Sequence, residues 1–331
     1  MITTHASVPI LGVPIHHVTF DQALDRIVEL ASEGRADGRS RQVATVNTDF
    51  LVSAYRDPEI HTMLQRVDLA VADGMPVVWA SSWLGGELPQ RVAGADLVPA
   101  LGRALAGTDL RLMFFGGAGD SAADAAAILR ERHPDLEIAS ATGMIGADGS
   151  APDAVVDQLR DFSPDVLCVG LGHPKQERFI QRHAATLGVP VSMGVGASFE
   201  FISGDRARAP RWMQRSGLEW LHRLVTDFRR LSGRYLTDAR VFFPAVRRQR
   251  RLAPANGPTT LAADLDLTGR DTLSAEDLVV LSTTITSTRA HNEQVEVIGM
   301  TPSVRTQLDD LKLLPLLEAG TPHDPPKAAS S

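Results

Sequence analysis

The 331-residue chain contains a single cysteine, Cys168, so it can form no internal disulfide, and nothing in it calls for an oxidising compartment. Cys168 lies in an apolar run and reads as a buried structural thiol. Aromatic residues make up only 5%, which suits an Ala/Val/Leu-rich α/β interior better than a β-sandwich. No run of about 18 apolar residues occurs, which excludes a bilayer-spanning helix. Residues 1–9 lack a basic start followed by an apolar stretch, so no signal peptide is expected and the protein is expected in the cytoplasm. There is no Gly-x-x-x-x-Gly-Lys-Ser/Thr loop, which argues against P-loop chemistry, and no full Gly-x-Gly-x-x-Gly fingerprint. The first Asp-x-Asp is Asp264-Leu-Asp266, near the C-terminal end, and no Cys/His spacing suits a metal. No metal and no cofactor are therefore expected.

Hydrophobic residues reach 44%, enough for a sizeable core. The net charge of −7 hides an asymmetry. Residues 206–251 hold 13 arginines, no lysine and three acids (Glu219, Asp227 and Asp238), a net of +10 that leaves −17 on the remainder. A concentrated positive segment on an acidic protein points to an anionic partner: a diphosphate, an anionic lipid surface or nucleic acid.

Apolar runs at 42–47, 67–72, 110–115, 136–140, 165–170 and 190–195 read as buried strands. Helical stretches separate them, among them 75–84, 96–106, 121–132, 152–162 and 174–187. Ahead of these, residues 10–20 read as a short strand or hairpin, with Asp21 as N-cap of a helix over 22–32. Apolar strands alternating with helices imply a parallel sheet covered on both faces, a Rossmann-like α/β fold. Ligands on such sheets bind at the carboxyl ends of the strands. Glycine clusters fall there: Gly116-Gly117, Gly170-Leu-Gly172 and Gly194-Val-Gly196.

Three motifs carry candidate chemistry. Asp73 ends the run Asp68-Leu-Ala-Val-Ala-Asp73-Gly74, aimed at a strand-end crevice. It reads either as a general base or as an ordinary Asp-Gly turn. Gly170-Leu-Gly-His-Pro-Lys-Gln-Glu-Arg178 follows a strand and opens a helix, so Gly172 and the helix N-terminus could admit phosphate, with Lys175 adding charge. The lysine is notable because the chain has 30 arginines and only three lysines. Gly194-Val-Gly-Ala-Ser-Phe-Glu200 repeats the pattern on the next strand, and the two glycine-lined ends together would suit a nucleotide diphosphate.

Those motifs occur in order with Thr45-Val-Asn47, Arg91-Val-Ala-Gly-Ala-Asp96-Leu97, Arg208-Ala-Pro210 and Gly217-Leu-Glu-Trp-Leu-His-Arg-Leu224. Over about residues 10–250 the set resembles the WecG/TagA/CpsF family of glycosyltransferases. The resemblance implies transfer of N-acetylmannosamine or a related hexose from a UDP donor to an undecaprenyl-diphosphate-linked acceptor, with inversion and without metal. It implies Asp73 as the base, Thr45, Asn47 and Arg91 beside it in the active site, and Gln176 as a further active-site residue. Lys175, Gly172, Gly194, Gly196 and Glu200 would line the donor cleft. The family's C-terminal arginines map to Arg223, Arg230 and Arg234. Ala72 stands where the family often has proline, and Glu200 where it commonly has Asp. Asp227-Phe-Arg-Arg230 lacks the usual Glu-Pro start.

The resulting organisation is a Rossmann-like core over 1–205, an Arg-rich helical appendage over 206–251, a linker over 252–258, a small module over 259–320 and a disordered tail over 321–331. The appendage, with Trp212 and Trp220, is expected to rest on the anionic inner face of the cell membrane. The small module resembles the latter half of an STAS domain, through Ala263-Asp-Leu-Asp-Leu-Thr-Gly269 and Val295-Glu-Val-Ile-Gly-Met-Thr-Pro-Ser-Val-Arg305. The phosphorylated serine of that family would fall near Ser274 or Ala275. A second copy of this chain is a further candidate partner, and nucleic acid is not expected to be one. The rival readings are a nucleotide-binding regulatory protein without transferase activity, a dinucleotide oxidoreductase and, from the basic segment alone, a nucleic-acid binder.

Overall fold

The computed structural model describes residues 6–210, 213, 228–253, 265–290 and 297–318. The chain opens with a hairpin of β1 (Ser7–Ile10) and β2 (Val13–His16), turned at Leu11-Gly12, both with positive φ. The hairpin lies a few residues ahead of its expected place, and residues 17–19 lead into a helix. That helix, α1 (Phe20–Asp37), is capped by Thr19 rather than Asp21. Thr19 Oγ1 accepts from the Gln22 N–H, and Gln22 Oε1 accepts from the Thr19 N–H. This reciprocal capping box satisfies two orphan donors, where Asp21 could satisfy one.

Six strands form one parallel sheet: β3 (Arg41–Val46), β4 (Leu69–Ala72), β5 (Leu112–Gly116), β6 (Ile138–Ala141), β7 (Val166–Gly170) and β8 (Val191–Gly194). Their spatial order is β4-β3-β8-β7-β5-β6. The expected α/β fold with a parallel sheet is found, and its strands carry the near-continuous Val/Leu/Ala runs of a sheet buried on both faces. The helices that cover it are α2 (Thr48–Arg56), α3 (Pro58–Gln65), α4 (Met75–Trp83), α5 (Gly94–Leu105), α6 (Ser121–Arg132), α7 (Asp153–Phe162), α8 (Lys175–Leu187) and α9 (Ser198–Ser203). One face buries α1, α5 and α6 with Phe114 and Phe199 stacked at 4.6 Å. Register aligns the carboxyl ends: Val46 pairs with Ala72, and Gly194 with both Ala44 and Val169. Residues that follow β3, β4, β7 and β8 thus emerge on one edge of the sheet.

The Arg-rich segment includes a long helix, α10 (Phe228–Leu252). Phe242, Ala245 and Val246 anchor it in the core shared by the hairpin, α2 and β4. Buried Gln249 fixes its far end: Nε2 donates to Pro9 O at 2.7 Å, and Oε1 accepts from the Leu11 N–H at 2.8 Å. Its arginines are partly spent within the protein. Arg248 meets Asp310 at 2.7 Å, and Arg250 lies over the Trp83 ring at 5.2 Å. Trp212, Trp220 and Glu219 lie outside the described residues.

The C-terminal module holds α11 (Ala275–Ala290), α12 (Pro302–Asp310) and α13 (Leu314–Glu318) around its own small core. Among the described residues its extended structure is one isolated parallel bridge, Asp266 to Ile298. That is too little to establish an STAS sheet. Ser274 is buried, its hydroxyl donates to Asp277 at 2.9 Å, and Asp277 pairs with Arg270 at 3.1 Å. The residue nearest the expected phosphorylation position is therefore committed to starting α11. The module is docked on the core. Ser7 Oγ meets Ser282 Oγ at 2.7 Å, Gln65 Nε2 donates to Lys312 O at 2.9 Å, and the Lys312 ammonium lies 4.6 Å from the Tyr55 ring centre.

Candidate active site

A cavity of about 330 Å³ opens at the carboxyl ends of β3 and β4. It is lined by Asn47, Asp49, Asp73 and Gly74, by Met75, Trp79 and Arg91, and by Arg234, Tyr235, Asp238, Phe242 and Phe243 of α10.

The polar lining residues are set by their local chain. Asn47 is the N-cap of α2, and its side-chain oxygen accepts from the Phe50 N–H at 3.2 Å. The amide NH2 is then the group left to offer. Asp73 follows β4 directly, and its N–H donates to Val46 O at 2.8 Å, which ties it to the end of β3. Asp73-Gly74 is not a closing turn. Gly74, at φ +146, bends the strand straight into α4, so the carboxylate is delivered at a strand-to-helix elbow lining the cavity. Arg91 precedes α5 and reaches Asp96 Oδ2 at 3.2 Å, while Asp96 Oδ1 accepts from Arg208 Nη1 at 2.5 Å. Arg234 comes from α10, with Asp49 3.7 Å away.

The cavity therefore gathers Asp73, Asn47, Arg91 and Arg234 of the expected set, while Thr45, Gly172, Lys175, Gln176, Gly194, Gly196 and Glu200 do not line it. Thr45 is buried one residue pair before Asn47, and its hydroxyl donates to Gly194 O at 3.1 Å, tying β3 to β8. Gln176 and Glu177 are buried under the β8 turn. Gln176 Nε2 donates to Glu177 Oε1 at 2.7 Å, Gln176 Oε1 accepts from the Gly196 N–H at 3.1 Å, and Glu177 Oε2 meets His173 Nδ1 at 2.9 Å. Gly194 is small for packing: a Cβ there would meet Gln176 Nε2 at 2.5 Å. Gly172 and Gly196, by contrast, have φ of +77 and +52 and open space where a Cβ would stand. Lys175 turns to Ile145 O at 3.3 Å. Glu200 is buried on α9. The Arg230 backbone lies in α10, and Arg223 lies outside the described residues.

Asp238, Tyr235 and Phe242 were not singled out by motif. Their signal is a helical stripe at 235, 238 and 242, in a segment whose arginines dominate its composition. Asp238 is carried far above the ordinary carboxylate range, to about 6, by burial and then by the nearby Asp49 charge. Among the described residues no group of three His, Cys, Asp or Glu side chains gathers to hold a metal. Nor, among them, is any helix long and apolar enough to cross a membrane.

A parallel sheet whose acid-and-arginine cavity sits at the carboxyl ends of adjacent strands defines a doubly wound α/β protein with its ligand site in the expected crevice. Residues 8–256 match the glycosyl transferase WecG/TagA/CpsF family, and the chain belongs to that family. It is similar to the N-acetylglucosaminyldiphosphoundecaprenol N-acetyl-beta-D-mannosaminyltransferase of Bacillus spizizenii, with 32% identity over 187 residues, 56% of this chain and 71% of the relative. The Staphylococcus aureus (strain COL) protein of the same name is 30% identical over 227 residues, 68% of this chain and 87% of the relative. Sugar transfer is thus the activity at family level. The C-terminal module lies beyond the matched residues.

Proposed function

We propose that this chain moves N-acetylmannosamine or a related hexose from a UDP donor to an undecaprenyl-diphosphate-linked sugar, with inversion at the anomeric carbon. The observation that carries the reading is Asp73 lining a cavity together with Asn47, Arg91 and Arg234. The acceptor hydroxyl oxygen attacks the anomeric carbon while Asp73 takes its proton. The bond from that carbon to the UDP oxygen breaks, and UDP leaves from the opposite face with the electron pair. Charge growing on the diphosphate is met by arginines and backbone N–H groups rather than by a metal. Arg91 and Arg234 are at the cavity, Arg223 and Arg230 belong to the same proposed set, and the open turns at Gly172 and Gly196 would admit the donor. Thr45 and the Gln176–Glu177 pair would hold those turns in place from behind, with Lys175, Gly194 and Glu200 as the remaining donor-side residues.

Two aromatic side chains at the cavity, Trp79 and Phe243, are 50% and 56% exposed. Flanked by arginines of α10, they suit an approach to an anionic lipid surface, consistent with a peripheral position at the inner face of the membrane. The test is to supply UDP-N-acetylmannosamine, UDP-glucose and UDP-glucuronate with a short-chain lipid-diphosphate sugar acceptor and weigh the product. A mass gain of one hexose or N-acetylhexosamine unit is expected. Release of free sugar with the acceptor unchanged would contradict it.

A further inference from the structure

The cavity contains a carboxylate that sugar transfer by Asp73 leaves without a task. Asp238 lines it from α10, is only 5% exposed, and its Oδ2 finds no hydrogen-bond partner among the described residues. Two cations bear on it, Arg234 on its own helix and Arg56 on α2, while Asp49 on α2 opposes them. Arg234 stands 3.7 Å from Asp49. A buried carboxylate without a full set of partners is costly, and a ligand that supplies the missing donor offsets that cost. A phosphate cannot be that ligand, because it would bring a second negative charge against a desolvated one. A sugar hydroxyl can, since it donates to a carboxylate and carries no charge.

We propose that Asp238 binds a hydroxyl of an uncharged pyranose held against Asp73, and that with Asp49 it turns away sugars bearing a carboxylate. The inference rests on the sugar-transfer reading and adds the class of sugar to it. The upward shift of Asp238, caused first by burial, fits a group short of hydrogen-bond donors. The hydroxyl can come from the donor sugar or the acceptor sugar, and steady-state kinetics separates the two.

The experiment compares wild type, Asp238→Ala and Asp238→Asn, using UDP-N-acetylmannosamine, UDP-glucose and UDP-glucuronate as donors and the short-chain lipid-diphosphate sugar as acceptor. Asp238→Ala is expected to raise KM for one substrate by about tenfold, with a smaller effect on kcat. A change in the donor KM assigns Asp238 to the donor sugar, and a change in the acceptor KM to the acceptor sugar. Asp238→Asn, which keeps volume and hydrogen bonding, is expected to recover most of that loss. It is also expected to raise UDP-glucuronate use relative to the neutral donors by about tenfold. If both KM values and the donor ratio stay within about twofold in a folded Asp238→Ala protein, the inference is overturned while sugar transfer stands. A uniform fall in kcat at unchanged KM also overturns it, because that is what a merely structural role gives. Absence of turnover by wild type with every donor removes the sugar-transfer reading and this inference together.

Discussion

Arg91 and Arg208 share one carboxylate: Asp96 accepts from the first at 3.2 Å and from the second at 2.5 Å. Arg91 lines the cavity, and Arg208 comes from the start of the Arg-rich segment, 112 residues from Asp96 in sequence. Asp96 thus couples the position of a cavity cation to the segment that follows the core. Asp96→Ala leaves two guanidinium groups without that common partner. Transfer is expected to fall by about tenfold or more, chiefly through a raised donor KM, with Asp96→Asn intermediate. Donor titration of the three proteins checks this, and an unchanged KM in Asp96→Ala would count against the coupling.

Gln249 makes the second long-range tie, from α10 back to the hairpin. Both of its amide groups are bonded to backbone in a buried setting. Gln249→Ala leaves the Leu11 N–H and the Pro9 carbonyl unsatisfied, at about 1–3 kcal/mol each. Denaturant unfolding is expected to show a loss of roughly 2–4 kcal/mol, and a loss below about 0.5 kcal/mol would refute the clasp.

Two buried groups make stability depend on pH in opposite directions. His61 packs against the hairpin turn beside Lys312, and burial first, then the Lys312 charge, lowers it from 6.5 to about 4. The unfolded chain therefore binds a proton there that the folded chain refuses, so stability is full above 6.5 and lost as pH falls toward 4. Asp238, raised from 3.8 to about 6, does the reverse: its contribution is full below 3.8 and lost as pH rises through 6. Thermal midpoints across about pH 4–8 should show His61→Gln gaining on wild type as pH drops, and Asp238→Asn gaining as pH climbs. Parallel curves for either variant would contradict that residue's assignment.

The sheet is legible in the sequence because a strand covered on both faces is a continuous apolar run, and every expected strand of the sheet is found within a few residues. Asp73, Asn47 and Arg91 are legible through motif order, since each sits within a few residues of a strand end or helix start. The helix cap shifts from Asp21 to Thr19 because the capping box depends on Gln22 reaching back, which residue type alone does not reveal. The place of Asp238 at the cavity is hidden because it comes from the packing of α10 against α2, a tertiary relation with no local sequence mark. The division of the glycine clusters is hidden for the same reason. Gly194 faces its neighbour's side chain, while Gly172 and Gly196 face open space.

Sugar transfer as proposed depends on the Asp73 carboxyl taking the acceptor proton. The most direct measurement is single-turnover transfer from UDP-N-acetylmannosamine by wild type and Asp73→Asn, alongside UDP-sugar binding by each. The variant is expected to bind donor within about threefold of wild type but to transfer about a hundredfold or more slowly. A variant that transfers at the wild-type rate would contradict it.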